Sequence, residues 1–321
     1  MKRLIKNIFV VGTASLLIYF GIFFLLYKIK INGTMALVRV DKYFGEKYGQ
    51  HASASLQEFK DQAKYDVIVI GSSHAYRGYD PRIFEKSGFN IYNLGTSAQN
   101  ISDSYGLAET YVTADKTPFV LLDIYEGTLS DVHEGTFKLI QTAPDFSTCA
   151  KLAWYSQEVR SVNLLTYRLF TDYISPEPVA NPREIKYMPQ DSRYIGKGYV
   201  SSSDSLKELP KKTKAHEKYE MNETAFSYLK QTLAVLTSRG IKVILCSHPQ
   251  PSYSRYPNHS EFVAKVEEVA KPYQVPYFDY TAHTQFNDKF HYYDHGHLNQ
   301  TGVDLYNQLL LEKISSLLKS P

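Results

Sequence analysis

The stretch DVIVIGSSHAYRGYDP, residues 66–81, decides how this chain folds. It begins with an unbroken apolar run that ends at Gly71, which is typical of a β-strand buried on both faces of a sheet. Two serines and a histidine follow at once, where a polar turn would close such a strand. The stretch therefore predicts a buried strand, and it leaves open whether Ser72, Ser73 and His74 only form the turn or carry chemistry.

Four later segments repeat the pattern of an apolar run that ends in a turn. They are FNIYNLG (89–95), PFVLLDIYEG (118–127), IKVILCSHP (241–249) and VPYFDY (275–280). Helical patterns accompany these runs at residues 98–113, 222–239 and 301–319. Strands that alternate with helices predict βαβ units, and so an α/β fold with a five-stranded parallel sheet between two helical layers.

A long insertion interrupts the alternation at residues 128–220. Its first part, 137–175, holds helical stretches, and its second part is rich in Pro, Ser and charge, which is typical of loops. Such an insertion at the carboxyl end of a strand is either a lid that shapes a substrate site or a structural excursion, and the sequence leaves both open. We expect an α/β domain over residues 61–321 that contains this insertion.

The N-terminus predicts a transmembrane helix within residues 1–30. The segment IFVVGTASLLIYFGIFFLLY, residues 8–27, has no charged residue, and at about 1.5 Å per residue it spans about 30 Å, one hydrocarbon core. A cleaved signal peptide would have a shorter apolar region that ends in small residues, so an uncleaved anchor is favoured. Residues 31–60 are polar and mixed in charge and are predicted to form a stalk or linker.

The basic residues around the apolar segment lean toward a cytoplasmic N-terminus and a domain outside the cytoplasm. They are Lys2, Arg3 and Lys6 before it and Lys28 and Lys30 after it. The whole chain of 321 residues has a formal net charge of +3, which is too small to indicate a nucleic-acid partner. Its two cysteines, Cys149 and Cys246, form no CxxC pair and predict neither a disulfide framework nor a zinc site.

Ser73 is a candidate nucleophile because of its position after the first strand. A serine on a tight turn between a strand and a helix stands clear of the sheet, and the helix N-terminus offers backbone N–H groups to a developing oxyanion. A hydroxyl is a poor nucleophile without a base, so a histidine must come to it from elsewhere in the chain. A simple cap or turn serine is the alternative.

The segment YYDHGHLNQTG, residues 292–302, offers such a base. Asp294 and His297 are spaced so that both can face the same way in a turn, with the carboxylate fixing the tautomer of the imidazole. A polar loop before the last helix is the alternative reading. The nearby histidines lack an acidic cluster or an HExxH pattern, so no metal and no cofactor is predicted.

Together, the serine turn and the Asp-x-x-His motif on a five-stranded α/β frame resemble the SGNH, or GDSL-type, hydrolase superfamily. The resemblance covers residues 65–127 and 221–319 and implies a flavodoxin-like sheet. It implies that Ser73 is the nucleophile, with Ser72 in place of the family's Asp, and that His297 and Asp294 are the base and its orienting acid. It also implies that the N–H of Gly95 is an oxyanion donor.

The third block of that family, Gly-x-Asn-Asp, is absent, and the chain reads LLDIYEGT at residues 121–128 in its place. Its Asn completes the oxyanion hole in the family, so Asn100, Gln99 or Tyr125 would have to substitute here. The Gly-Ser-Ser variant is similar to that of membrane-anchored acyl-transfer relatives, including the D-alanyl transfer proteins of teichoic acid.

Further residues of the same sheet edge are predicted to contact the substrate or to shape the site. His74 is expected to point away from the nucleophile, as a substrate or structural contact rather than the base. His248, at the end of the fourth strand, is predicted to line the pocket, and Arg77 and Asp80 are predicted to fix the turn or the pocket rim.

These features predict a membrane-anchored serine esterase or O-acyltransferase that acts on a cell-envelope glycan or a related acyl ester. A membrane-bound acyltransferase is a candidate partner, because the anchor holds the domain near the bilayer. The alternative is a non-catalytic envelope binding or assembly protein that kept the fold and lost the missing Asn. The acyl group and its acceptor are not determined by the sequence.

Overall fold

The computed structural model of the protein describes residues 1–41, 43–44, 50–61, 64–174, 192–209, 214 and 217–319. The chain divides into two compact units, Met1–Tyr48 and Gly49–Pro321. The second unit therefore begins before residue 61, where the sequence placed the start of the α/β domain, and it includes the later part of the predicted stalk.

The first unit is built on a long apolar helix, α1 (Lys2–Lys28). A short antiparallel hairpin and one further helix follow: β1 (Lys30–Ile31), β2 (Thr34–Met35) and α2 (Ala36–Val40). Among the described residues, α1 is the one helix long and apolar enough to cross a membrane, with a mean hydropathy of 2.4 over its most apolar window. Length and composition fit a membrane span and a signal sequence equally.

The second unit opens with α3 (Gln50–Asp61) and then alternates between strands and helices. Its first half contains β3 (Val67–Ile70), α4 (Ser73–Gly78), α5 (Pro81–Lys86), β4 (Ile91–Asn93), α6 (Ile101–Tyr111) and β5 (Phe119–Asp123). The insertion contains α7 (Glu134–Thr142), α8 (Phe146–Ser156), α9 (Val159–Leu169), β6 (Ser192–Gly196) and β7 (Tyr199–Ser202). The last part contains α10 (Glu223–Ser238), β8 (Lys242–Ser247), α11 (His259–Ala270), β9 (Tyr277–Asp279) and α12 (Gln300–Lys319).

The central sheet confirms the predicted fold class. Five strands lie in the order β4-β3-β5-β8-β9, and every neighbouring pair is parallel. Every residue of β3, β4 and β5 is buried, which explains why these runs are apolar throughout instead of alternating. On one face, Val67, Val69 and Leu121 share a core with Tyr306 and Leu310 of α12. α10 packs on β8 and on α6, so helices cover the sheet on both sides.

Part of the segment predicted to form loops is ordered, and residues 175–191 of that segment lie outside the described residues. Residues 192–202 form a hairpin, β6–β7, in which Tyr199 is fully buried within the main core. The N–H of Asn93 on edge strand β4 donates to the carbonyl of Lys197 in the hairpin turn at 3.0 Å. Gly198 has a φ of +77°, and a Cβ there would lie 1.8 Å from the carbonyl oxygen of Asn93. The hairpin therefore packs directly against the outer edge of β4.

A histidine held between two carboxylates joins three elements at the other end of the sheet. His259, the first residue of α11, lies 2.6 Å from Glu126 Oε1 through Nδ1 and 3.0 Å from Asp279 Oδ2 through Nε2. Burial alone would lower the pKa of His259, but the hydrogen bonds to Asp279 and Glu126 outweigh it and raise this pKa to about 9. The protonated ring of His259 therefore links α11, β9 and the loop after β5 through two ion pairs.

This cluster predicts a loss of stability in mild alkali. Because its pKa is raised on folding, His259 contributes its full stabilisation below its unfolded pKa of about 6.5 and loses it as the pH rises through about 9. We expect this contribution to be about 1–2 kcal/mol once screening by solvent at Asp279 is allowed for. Urea unfolding of the wild type and His259→Gln at pH 6 and pH 9.5 measures it, and equal pH dependence in the two proteins would contradict the assignment.

Candidate active site

Ser73 lies at the carboxyl end of β3, where the chain turns directly into a short helix. The side chain of Ser72 caps α4 by accepting a hydrogen bond from the N–H of His74. Ser73 is then the first residue of α4, and it is partly exposed while the rest of that helix is buried. Since the first N–H groups of a helix have no intrahelical partner, the N–H of Ser73 has none within α4.

Asp294 and His297 are held together by the loop that precedes α12. Asp294 Oδ1 accepts hydrogen bonds from the N–H of Gly296 at 2.9 Å and of His297 at 2.8 Å. The same carboxylate lies 2.8 Å from His297 Nδ1 through Oδ2. Asp294 thus holds the loop in a tight turn, and the same carboxylate orients the imidazole of His297.

The two segments meet where His297 contacts Ser73. His297 Nε2 lies 2.7 Å from Ser73 Oγ, between residues that are 224 positions apart in the chain. With Nδ1–H donated to Asp294, Nε2 of the neutral ring is the acceptor for the serine proton. The three residues predicted from sequence are therefore in contact, in the order Ser73, His297, Asp294.

The charges around this triad favour a neutral imidazole and an ionised carboxylate. Burial lowers the pKa of His297 below its ordinary value; Asp294 raises that pKa, and Arg77 and His248 lower it further. Burial opposes ionisation of Asp294, but its hydrogen bonds from His297 and from the backbone of Gly296 hold the pKa of this carboxyl well below its usual range. At neutral pH the imidazole is therefore free to accept a proton.

Arg77 brings a positive charge close to the triad from one turn further along α4. It is buried, its guanidinium lies 4.8 Å from the centre of the Tyr293 ring, and Nη1 donates to Ser192 of the hairpin at 3.1 Å. Asp80, predicted with it to fix the turn, caps α5 by accepting from the N–H of Arg82.

His74 packs against the imidazole of His297. Its ring stacks on His297 at a centroid distance of 4.7 Å and on His248 at 3.8 Å, and the edge of Tyr125 lies 4.4 Å away. The sequence predicted a substrate or structural contact that points away from Ser73; α4 begins at Ser73 itself, and its first turn places the next side chain beside His297. His248, as expected, lies at the end of β8 beside this group, and it is buried.

Gly95 is tightly packed, but its N–H is not free for an oxyanion in this structure. It donates to Asn93 Oδ1 at 2.9 Å, and the amide of Asn93 in turn donates to the carbonyl of Ala75 at 2.7 Å. A Cβ at Gly95 would lie 2.8 Å from the backbone N of Tyr76 and 2.9 Å from the Cβ of Ala75. The close approach of α4 is therefore a sufficient physical reason for glycine at this position.

The polar residues suggested as replacements for the missing Asn are already engaged. Asn100 caps α6 and donates to the carbonyl of Val132 at 3.0 Å, and it lines a cleft of about 300 Å³ between α6, α8 and α10. The amide of Gln99 donates to Ser104 at 2.9 Å. Tyr125 differs from both because its ring packs on that of His74, the residue after Ser73, with the ring centroids 4.4 Å apart. Sequence reasoning missed Asn93, and the only sign of it was a polar residue at the end of an apolar run.

No metal site is evident in the part of the chain that the structure describes, because no group of three or more His, Cys, Asp or Glu side chains there could hold an ion. Both cysteines are free and buried.

No family model matches the chain, and no curated protein matches it. Among solved structures, it is similar to a GDSL-like lipase from Bacteroides thetaiotaomicron, with 13% identity over 84% of this chain and 98% of that chain and a TM-score of 0.45. It is also similar to a lipase/acylhydrolase from Enterococcus faecalis, with 14% identity, coverage of 80% and 98%, and a TM-score of 0.42. A mutant of an acetylxylan esterase from Geobacillus stearothermophilus gives 11% identity, coverage of 78% and 94%, and a TM-score of 0.41.

The first of these neighbours is described as GDSL-like, which is the family that the sequence motifs resemble. The likenesses are weak in both identity and TM-score, so the case for a function rests on the geometry of the triad.

The contact at Gly95 predicts a specific effect of a single methyl group. Gly95→Ala would drive α4 away from the sheet, because the atoms that it meets belong to the backbone and to a buried Cβ. We expect a loss of about 1–3 kcal/mol in the free energy of unfolding, measured by urea denaturation. Gly78→Ala is the matched control in the same helix, since a Cβ there meets nothing within 4 Å. Equal stability of the two variants would contradict the close approach.

Proposed function

We propose that this chain is a serine-dependent esterase or O-acyltransferase. The observation that carries the proposal is the line of hydrogen bonds from Ser73 Oγ through His297 to Asp294, with distances of 2.7 and 2.8 Å. Ser73 is a partly exposed serine at the start of a helix, and its partner is a neutral base whose tautomer is fixed by a carboxylate. Acyl transfer requires this arrangement.

In the first step, Ser73 Oγ attacks the carbonyl carbon of an ester while His297 Nε2 takes the serine proton. The tetrahedral intermediate collapses as its bond to the leaving oxygen breaks, and His297 returns the proton to that oxygen. An acyl ester on Ser73 remains, and the alcohol departs. Asp294 stabilises the imidazolium while it exists.

The second step decides between the two activities. Either water or a sugar hydroxyl attacks the acyl carbon, gives its proton to His297 and releases Ser73, which recovers that proton. Attack by water completes ester hydrolysis, and attack by a sugar hydroxyl completes O-acyl transfer. Both use the same three side chains.

Stabilisation of the oxyanion is the weakest part of this site. The N–H of Ser73 is the proposed donor, whereas the N–H of Gly95 is paired with Asn93. Removing one donor from an oxyanion hole typically costs about 10²–10³ in rate, so we expect a slow enzyme. Tyr125 is a further candidate donor, because its ring packs on His74 beside the serine turn.

The proposed substrate class is an acyl ester of a cell-envelope glycan, reached by a domain tethered to the membrane. α1 supports this part of the proposal by its length and apolar composition, and Lys2, Arg3 and Lys6 before it favour a cytoplasmic N-terminus. A membrane-bound acyltransferase that delivers the acyl group is the proposed partner for the transfer reaction.

Ser73→Ala is expected to abolish hydrolysis of p-nitrophenyl acetate, and Asp294→Asn is expected to lower kcat by about 10⁴-fold through loss of the correct tautomer. Initial rates at pH 8 measure both. Ser227→Ala, on the exposed face of α10, is the matched control and should retain the full rate. Full activity in Ser73→Ala would end the proposal.

The second candidate is a non-catalytic binding or assembly protein of the envelope. It is favoured by the engagement of Gly95, Gln99 and Asn100 in bonds within the fold. Reaction with a fluorophosphonate distinguishes the two, because it requires only an activated serine. Covalent labelling at Ser73 supports the enzyme, and an unlabelled but folded protein supports the binding role.

The membrane anchor is tested by where the chain is found. We expect the full-length protein to remain in the membrane fraction after a high-salt or alkaline wash, because a span of this length is held by the hydrocarbon core. A variant lacking residues 1–30 should be soluble and keep its rate on p-nitrophenyl acetate. A soluble mature protein whose N-terminus lies after α1 would instead identify that segment as a signal sequence.

A further inference from the structure

Three imidazole rings lie in one stack beneath the nucleophile. His74 is the central ring, with His297 on one side at 4.7 Å and 27° between planes and His248 on the other at 3.8 Å and 19°. We call these three residues the imidazole column. A carboxylate lies at each end of the column. Asp294 is bonded to His297, and Asp123 Oδ1 lies 3.6 Å from His248 Nδ1.

His74 also joins the two halves of the triad through its ring nitrogens. Nδ1 lies 3.3 Å from the Oγ of Ser72, the residue before the nucleophile. Nε2 faces Gly296, the residue before the base, since a Cβ at Gly296 would lie 3.3 Å from it. A single buried side chain thus contacts both the serine turn and the loop that carries Asp294 and His297.

We propose that His74 is a positioning residue that holds the ring of His297 in line with Ser73 Oγ by stacking beneath it and by tying its loop to α4. It touches neither the nucleophile's hydroxyl nor the substrate in this role. The inference rests on the proposed function, since it assigns His74 a part in the same acyl transfer.

His74 is poorly placed to serve as a second base. Burial lowers the pKa of His74 well below its ordinary value, and the neighbouring His248 and His297 lower it further, so the ring is neutral when His297 takes its proton. The charged and titratable groups that face the column come from several elements: Tyr293 and Asp294 of the loop, Arg77 of α4, Asp123 and Tyr125 at the end of β5, and Lys214.

The column also shields the base from water. His297 owes its lowered pKa first to burial, and His74 stacks on one face of its ring at a centroid distance of 4.7 Å. Removing the His74 ring would hydrate that face, favour the imidazolium and raise the pKa of His297. Because the base must be neutral, the acid limb of the pH–rate profile would move to higher pH.

The test compares His74→Ala with His74→Phe in the full-length protein. We expect His74→Ala to lower kcat by about 100-fold with little change in KM, since a displaced base costs that much. It should also raise the pKa of His297, read by NMR of its ring protons and by the pH dependence of fluorophosphonate labelling. His74→Phe keeps a ring on the face of His297, so its His297 pKa should stay close to the wild type while kcat remains reduced.

His259→Gln is the control, because it removes another imidazole from the same unit without touching the column. It should lower stability and leave the His297 pKa unchanged. The inference is overturned if His74→Ala leaves kcat and the His297 pKa as they are, or if kcat falls with the melting temperature while that pKa stays constant. The NMR titration needs no turnover, so its result stands even if Ser73→Ala shows that the proposed function is wrong.

Discussion

The Cβ of Ala75 lies against two glycines, Gly71 and Gly95, that follow adjacent strands of the sheet. A Cβ at either glycine would lie only 2.9 Å from that methyl group, so α4 sits as close to β3 and β4 as a helix can. This approach places the first residue of α4 at the carboxyl edge of the sheet, where parallel strands expose their ends. Ser73 is partly exposed for that reason, while the helix behind it is buried.

Buried hydrogen bonds make this contact specific as well as close. Asn93 uses its amide to hold the carbonyl of Ala75 and the N–H of Gly95, and its own N–H is paired with Lys197. On the other side of α4, the hydroxyl of Tyr79 donates to Asp123 at 2.8 Å and lies 3.0 Å from that of Tyr306. A buried polar group without a hydrogen bond costs free energy, so a shift of α4 that broke these bonds would destabilise the fold.

Sequence patterns predicted the parts of this molecule that depend on periodicity and on short motifs. The five strands follow from continuous apolar runs, and α10 and α12 follow from the helical patterns at residues 222–239 and 301–319. The hairpin at 192–202 was missed because its stability comes from burying Tyr199 in a distant core instead of from strand-like alternation. The stacking of His74 on His297 and His248 has no sequence signal for a similar reason, since it depends on where α4 begins and on two rings contributed by residues far along the chain. The partner of Gly95 is likewise a tertiary contact that no local signal reveals.

The hairpin on β4 has a consequence for how the chain reaches its fold. An open edge strand is a template for pairing with other chains, and here the turn at Lys197 and Gly198 occupies the outer side of β4. That turn is made roughly a hundred residues after β4, so a nascent chain leaves the strand uncovered while the whole insertion is synthesised. Until residues 192–202 emerge, the outer edge of β4 is therefore open to pairing with other chains, and the hairpin covers that edge once it has been synthesised.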